Sequence, residues 1–161
     1  MKTLYLTRHA KSSWKHDVID HQRPLKIRGE KDAALVSKEV TKTMLAPAKI
    51  ISSDAVRAFA TANYFKDAFD ISDSDFSVDH ELYDFSGQKV IKAIKNLDDS
   101  LDCVLFFGHN HAFTSIVNML GNKYIDNLPT AGFVAIQFDT NSWSAITVGE
   151  TIKTIFPRDL K

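Results

Sequence analysis

Residues 4–14, LYLTRHAKSSW, set an arginine and a histidine directly after a short apolar run at the start of the chain. Thr3–Thr7 has the Leu and Tyr content of a strand, so Arg8 and His9 fall where that strand ends. In parallel α/β sheets, ligands bind at the carboxyl ends of the strands. A fixed cation beside a nucleophile-capable imidazole therefore marks a candidate anion site.

Further strand-like runs follow at Lys49–Ser53, Cys103–Gly108, Phe133–Phe138 and Trp143–Val148. Between the first three, apolar residues recur three or four apart. One set is Ala33, Val36, Val40 and Met44, and the next is Ala58, Ala62, Phe65 and Phe69. Val90, Ile94 and Leu97 follow, and Phe113, Ile116 or Val117 and Leu120 complete the series. Each set gives one buried helical stripe. Strands alternating with helices imply right-handed crossovers and a mostly parallel sheet covered on both faces, hence an α/β fold. The DTNS connection at 139–142 reads as a hairpin, so the last two strands are expected to form an antiparallel edge. No repeat or linker interrupts the pattern, and 1–161 is expected to be one domain.

Twenty basic and twenty acidic residues cancel. Without a global field, nucleic acid and anionic lipid are not expected partners, and anion binding must be local. The single cysteine, Cys103, lies in an apolar run, which excludes an internal disulfide and fits a reducing compartment. The opening residues are too short in apolar length for a signal sequence, and no run reaches the span of a membrane helix. The expectation is a soluble cytoplasmic protein. Fifteen lysines against five arginines make lysine the default surface cation, so each arginine is a candidate for bidentate grip on phosphate or carboxylate.

Three segments follow strand ends in the same manner: LTRHA, SSDAVRAFATA and FFGHNHAF. On one sheet edge, Arg8, His9, Arg57 and His109 would converge around a small dianion. Arginines would hold phosphoryl oxygens, one imidazole would attack, and the other would donate to developing charge, a set suited to phosphoryl transfer without a metal. Blander readings compete. Arg57 could simply pair with Asp54 at i−3, and His109 with His111 could form an H-x-H metal pair, although no further ligand cluster completes one. Asn110 suits a helix N-cap or, equally, a role in orienting the loop. Arg23 and Arg28 suit structural ion pairs, while His16, His21 and His80 read as surface residues. The long connection from Arg8 to about Leu25, ending in QRPL, is expected to border the site.

TRHAKSSW, QRPLKIRGEKDA, SSDAVRAFATA, ELYDFS and FFGHN, in this order across nearly the whole chain, resemble the histidine phosphatase superfamily, in its small SixA-type variant. The resemblance implies a three-layer, phosphoglycerate mutase-like α/β/α sandwich with no metal or organic cofactor. It makes His9 the phosphorylated nucleophile, Arg8 and Arg57 phosphate ligands, and His109 the second pocket histidine. Ala10 departs from the family's Arg-His-Gly; alanine is tolerable there if glycine serves close approach rather than a positive φ. For the proton donor of larger relatives, Asp84 is the better positional match and Glu81 has the longer reach.

The implied activity is hydrolysis of phosphohistidine on a protein by a monomeric enzyme. A labile P–N bond needs less help from an acid than an alkoxide leaving group does. Two alternatives stand beside it. One is a phosphatase of small phosphate esters using the same chemistry; the other is a non-catalytic phosphate-recognition module.

Overall fold

The computed structural model describes residues 1–161. Its strands are β1 (Lys2–Arg8), β2 (Lys49–Ser52), β3 (Phe76–Val78), β4 (Cys103–Gly108), β5 (Phe133–Phe138) and β6 (Glu150–Ile155). The helices are α1 (Ile27–Thr43), α2 (Val56–Ala68), α3 (Gln88–Lys95) and α4 (Ala112–Leu120). One six-stranded sheet has the order β3-β2-β4-β1-β5-β6. Strands β1 to β4 pair in parallel; β5 runs antiparallel to both β1 and β6.

Because side chains alternate along a strand, each inner strand feeds two cores. Leu4, Leu6, Val104, Phe106, Val134 and Ile136 face one layer with residues of α3 and α4. Tyr5, Leu105, Phe107, Phe133 and Ala135 face the other, with Ala33, Val36 and Val40 of α1 and Ala62 and Phe65 of α2. The three-layer α/β/α sandwich follows, and all four helical stripes form helices at the expected places.

The antiparallel edge differs in detail. Trp143–Val148 is not a strand; Trp143–Ala145 is a 3-10 turn, and the last strand is Glu150–Ile155. Trp143 is fully buried, and its indole N–H donates to the Leu101 carbonyl at 2.7 Å, while its backbone N–H goes to Asp99. This tryptophan therefore anchors a turn to the core, and the β-branched alternation of TIKTI carries the edge pairing instead. The three-residue β3, beside β2, was too short to show a period in the sequence.

The loop after β1 folds back on the approach to α1. Ser12 bridges Leu25, the Ser13 N–H donates to the Pro24 carbonyl at 2.8 Å, and the Lys26 N–H donates to the Lys11 carbonyl at 3.0 Å. Gly29 makes this contact possible: a Cβ there would come within 2.1 Å of the Lys11 carbonyl oxygen. No helix is long and apolar enough to cross a membrane.

Candidate active site

Sheet register brings the predicted residues together. Arg8 pairs with Gly108 across β1 and β4, the His9 N–H donates to the Gly108 carbonyl, and the Ser53 N–H donates to the Phe107 carbonyl. His9, Ser53 and His109 thus leave three adjacent strands at one edge. Arg57, on the first turn of α2, reaches over the same edge. The rings of His9 and His109 lie 5.3 Å apart, and Arg57 Nε is 3.3 Å from His9 Nε2.

The hydrogen bonds assign different tautomers to the two imidazoles. His9 Nδ1 faces the carbonyl of Ala10 at 2.8 Å, so Nδ1 carries the proton and Nε2 presents a lone pair, which accepts from Arg57 Nε–H. The opposite holds for His109. Its Nε2 lies 2.8 Å from Ser53 Oγ, which already accepts the Ala55 N–H. His109 Nε2 is the one acceptor within reach of the Ser53 hydroxyl proton, so the hydroxyl donates to it, and His109 Nδ1 becomes a buried donor with no partner in the protein. Arg8 donates from NH1 to the Leu128 carbonyl at 3.0 Å and keeps a buried Nε–H equally unpartnered. Two donors and one nucleophilic lone pair share one pocket.

Burial sets the protonation. It pushes His9 well below the ordinary histidine value, and the neighbouring His109, Arg57 and Arg8 add to the effect. Burial, then the Arg57 charge, brings His109 down to about 3. Both rings are neutral near pH 7. Burial and Arg57 also lower Arg8, which as a guanidinium stays cationic.

Ala10 lies outside the left-handed region, which only Asp70, Ala131 and Gly87 adopt. It is fully buried, with its N–H donating to Thr61 of α2 at 2.9 Å, so close approach and not backbone conformation governs this position.

The two carboxylates expected as acid candidates lead elsewhere. Asp84 Oδ1 accepts from the Ser86 N–H and hydroxyl, and Oδ2 from the N–H groups of Gly87, Lys89 and Val90. Its burial favours the neutral form, but these donors win and hold it below the usual carboxylate range. Asp84 is an anion that caps α3. Glu81 is 61% exposed and faces Lys89 at 3.6 Å.

The pocket instead receives Asp20, Tyr83 and Phe85. Asp20 lies in a 3-10 turn, Asp20–Gln22, of the long loop. Its carboxylate accepts from Arg57 at 2.9 Å, Tyr83 at 2.6 Å and Arg23 at 3.1 Å. Burial would raise its pKa, but these bonds hold it far below the ordinary value. Arg57 therefore pairs with Asp20 and not with Asp54, which binds His21 and His80. His21 is accordingly only partly exposed, unlike the free surface residue expected. Tyr83 and Phe85 stand at 5.3 and 5.2 Å from the His109 ring. Arg23 makes the expected structural contacts, to Asp20, Ser12 and the face of Trp14. Asn110 accepts the Thr114 N–H in the first turn of α4. An acid in the DHQRP loop and a serine just before a helix were the available signals for Asp20 and Ser53.

This sheet order, with an Arg-His pair after β1 opposite a second histidine after β4, is that of a phosphoglycerate mutase-like α/β fold. The profile of the histidine phosphatase superfamily (branch 1) matches residues 4–89, and the chain belongs to that family. An uncharacterized chloroplastic protein of Arabidopsis thaliana is 30% identical, over 88% of this chain and 69% of its own. Among solved structures, a protein designated phosphohistidine phosphatase SixA from Agrobacterium tumefaciens superposes with a TM-score of 0.79 at 21% identity, covering 96% of this chain and 97% of that one. The protein histidine phosphatase SixA complexed with tungstate gives a TM-score of 0.81 at 19% identity, covering 99% of both chains. At these identities the structural likeness speaks for the fold.

Proposed function

We propose that residues 1–161 form one catalytic domain, a metal-independent phosphatase that removes phosphate from phosphohistidine on a protein. The observation that carries this reading is the pairing of a buried, neutral His9, whose unprotonated Nε2 is held only by the Arg57 Nε–H, with two unpartnered donors, Arg8 Nε and His109 Nδ1. The phosphoryl oxygens take up those donors and the Arg57 guanidinium, which releases Asp20 to bind them. His9 Nε2 then forms a bond to phosphorus as the P–N bond to the substrate imidazole breaks. When the substrate ring carries a proton on its other nitrogen, it leaves as neutral imidazole, so no protein carboxylic acid is needed. Water then attacks phosphorus, releasing inorganic phosphate and restoring neutral His9. The roles of Asp84 and Glu81 in this reading are not acidic ones.

The protein substrate is supported by the pocket's surroundings. Ile19, next to Asp20 in the loop, and Phe85, beside His109, are exposed apolar side chains that a protein substrate could cover. A protein of this fold, the histidine phosphatase SixA, has been solved in complex with tungstate, which is in keeping with oxyanion binding.

Phosphate release by chelator-treated wild-type and His9→Ala protein, each given a phosphohistidine protein and p-nitrophenyl phosphate, tests the proposal. Expected is His9-dependent turnover that survives chelation and favours the phosphohistidine protein. Greater turnover of the ester would move the substrate class to small phosphates. Phosphate binding without turnover would make the protein a recognition module.

A further inference from the structure

Three side chains from distant parts of the chain meet at the rim of the pocket, outside the phosphate-facing set. His21 belongs to the Asp20–Gln22 turn, Asp54 to the link between β2 and α2, and His80 to a second 3-10 turn, His80–Leu82. His21 Nε2 is 2.8 Å from Asp54 Oδ1, and His80 Nδ1 is 2.8 Å from Asp54 Oδ2. One ligand atom from each residue lies within 4.8 Å of the other two. The Tyr83 ring meets His21 edge-on at 5.0 Å and packs against His80 at 5.9 Å, which orients both imidazoles. The cluster is open to solvent, with His80 73% exposed.

We infer that His21 Nε2, Asp54 and His80 Nδ1 form a binding site for a divalent ion of the zinc class, separate from the catalytic pocket. Two imidazole nitrogens and one carboxylate suit such borderline ions, whereas magnesium and calcium favour oxygen ligands. Three protein ligands leave a further position for water.

The proton balance is simple. In the metal-free protein each ring gives an N–H to Asp54; on binding, that nitrogen gives up its proton, a neutral ring moving it to the other nitrogen and a doubly protonated ring releasing it to solvent, and the ion takes the vacated lone pair. For His80 the other nitrogen is Nε2. For His21 it is Nδ1, now 3.0 Å from the Gln22 side-chain nitrogen. Turning the Gln22 amide over presents its oxygen to accept that N–H, the outer contact that metal-bound histidines commonly make. The ion would join three segments that carry pocket residues: Asp20 adjoins His21, Arg57 follows Asp54 by one helical turn, and Tyr83 follows His80.

The test is titration of Zn2+ into the tag-free, chelator-treated full chain, followed by calorimetry and by imidazole 15N resonances. Expected is one equivalent bound, with shifts at His21 Nε2 and His80 Nδ1 while His9 and His109 stay unmoved. His80→Ala, at an exposed position, should weaken binding at least about tenfold, Asp54→Asn should do likewise, and His9→Ala should leave it as in the wild type. Shifts at His9 or His109, affinity unchanged in both His80→Ala and Asp54→Asn, or no stoichiometric binding would each overturn the site. None of these outcomes depends on the phosphatase reading.

Discussion

The strand ends and the 80–87 segment both contribute walls to the pocket, yet they place side chains by different rules. After β1 and β4, backbone pairing fixes where Arg8, His9 and His109 emerge, and the Ala10 carbonyl and the Ser53 hydroxyl set only the ring tautomers. In residues 80–87, the outcome depends on which local N–H groups are free. Asp84 is drawn to the start of α3, Glu81 turns outward to Lys89, and Tyr83 between them closes over His109. Regular pairing positions chemistry; irregular backbone competes for it.

Arg57→Ala should show the largest difference between the two regions that a single truncation reveals. Loss of this guanidinium should cost about 100- to 1000-fold in turnover, measured at saturating and limiting substrate. Near-normal activity would mean that the strand-end cluster is not the reacting centre.

Acid should act on the same cluster. Both histidines have depressed pKa values in the folded state, so the unfolded chain binds more protons below the ordinary histidine value. Stability is therefore fully present above about pH 6.5 and is lost as pH falls toward 3. His109 alone, with a folded value of about 3, should remove about 3 kcal/mol between pH 8 and pH 4. Urea unfolding across that range, compared with His109→Gln, checks this; equal slopes in both proteins would refute the buried neutral ring.

Ser53→Ala should lower turnover about tenfold to a hundredfold by freeing the His109 tautomer, with a changed imidazole 15N pattern at His109 as the independent readout. A changed rate without that spectral change would assign Ser53 to packing only.

The 80–87 segment should respond in stability and not in chemistry. Asp84→Ala should cost about 1–2 kcal/mol in urea unfolding with turnover per folded molecule nearly unchanged. Glu81→Gln, at an exposed pair, should change stability by less than about 0.5 kcal/mol. A large loss of turnover in either, with folding intact, would erase the contrast between the regions.

That contrast also explains what could be read before the structure. The helical stripes, the inner strands and the four-residue cluster rest on periodicity and strand order, which local sequence carries. The short β3, the turn around Trp143 and the Asp20 contact rest on pairings across 26, 44 and 37 residues, where no local pattern exists. Asp54 illustrates the limit: i−3 spacing offered it to Arg57, but two histidines from other segments hold both of its oxygens.

The bond from His9 Nδ1 to the Ala10 carbonyl has a stereochemical consequence. With Nδ1 committed to the chain itself, a phosphoryl group accepted by His9 can reside only on the nitrogen remote from the backbone, so the proposed intermediate would be the tele isomer. Its 31P resonance in samples denatured under alkaline conditions, where the P–N bond survives, should be that of a single regioisomer, whichever isomer the substrate presents.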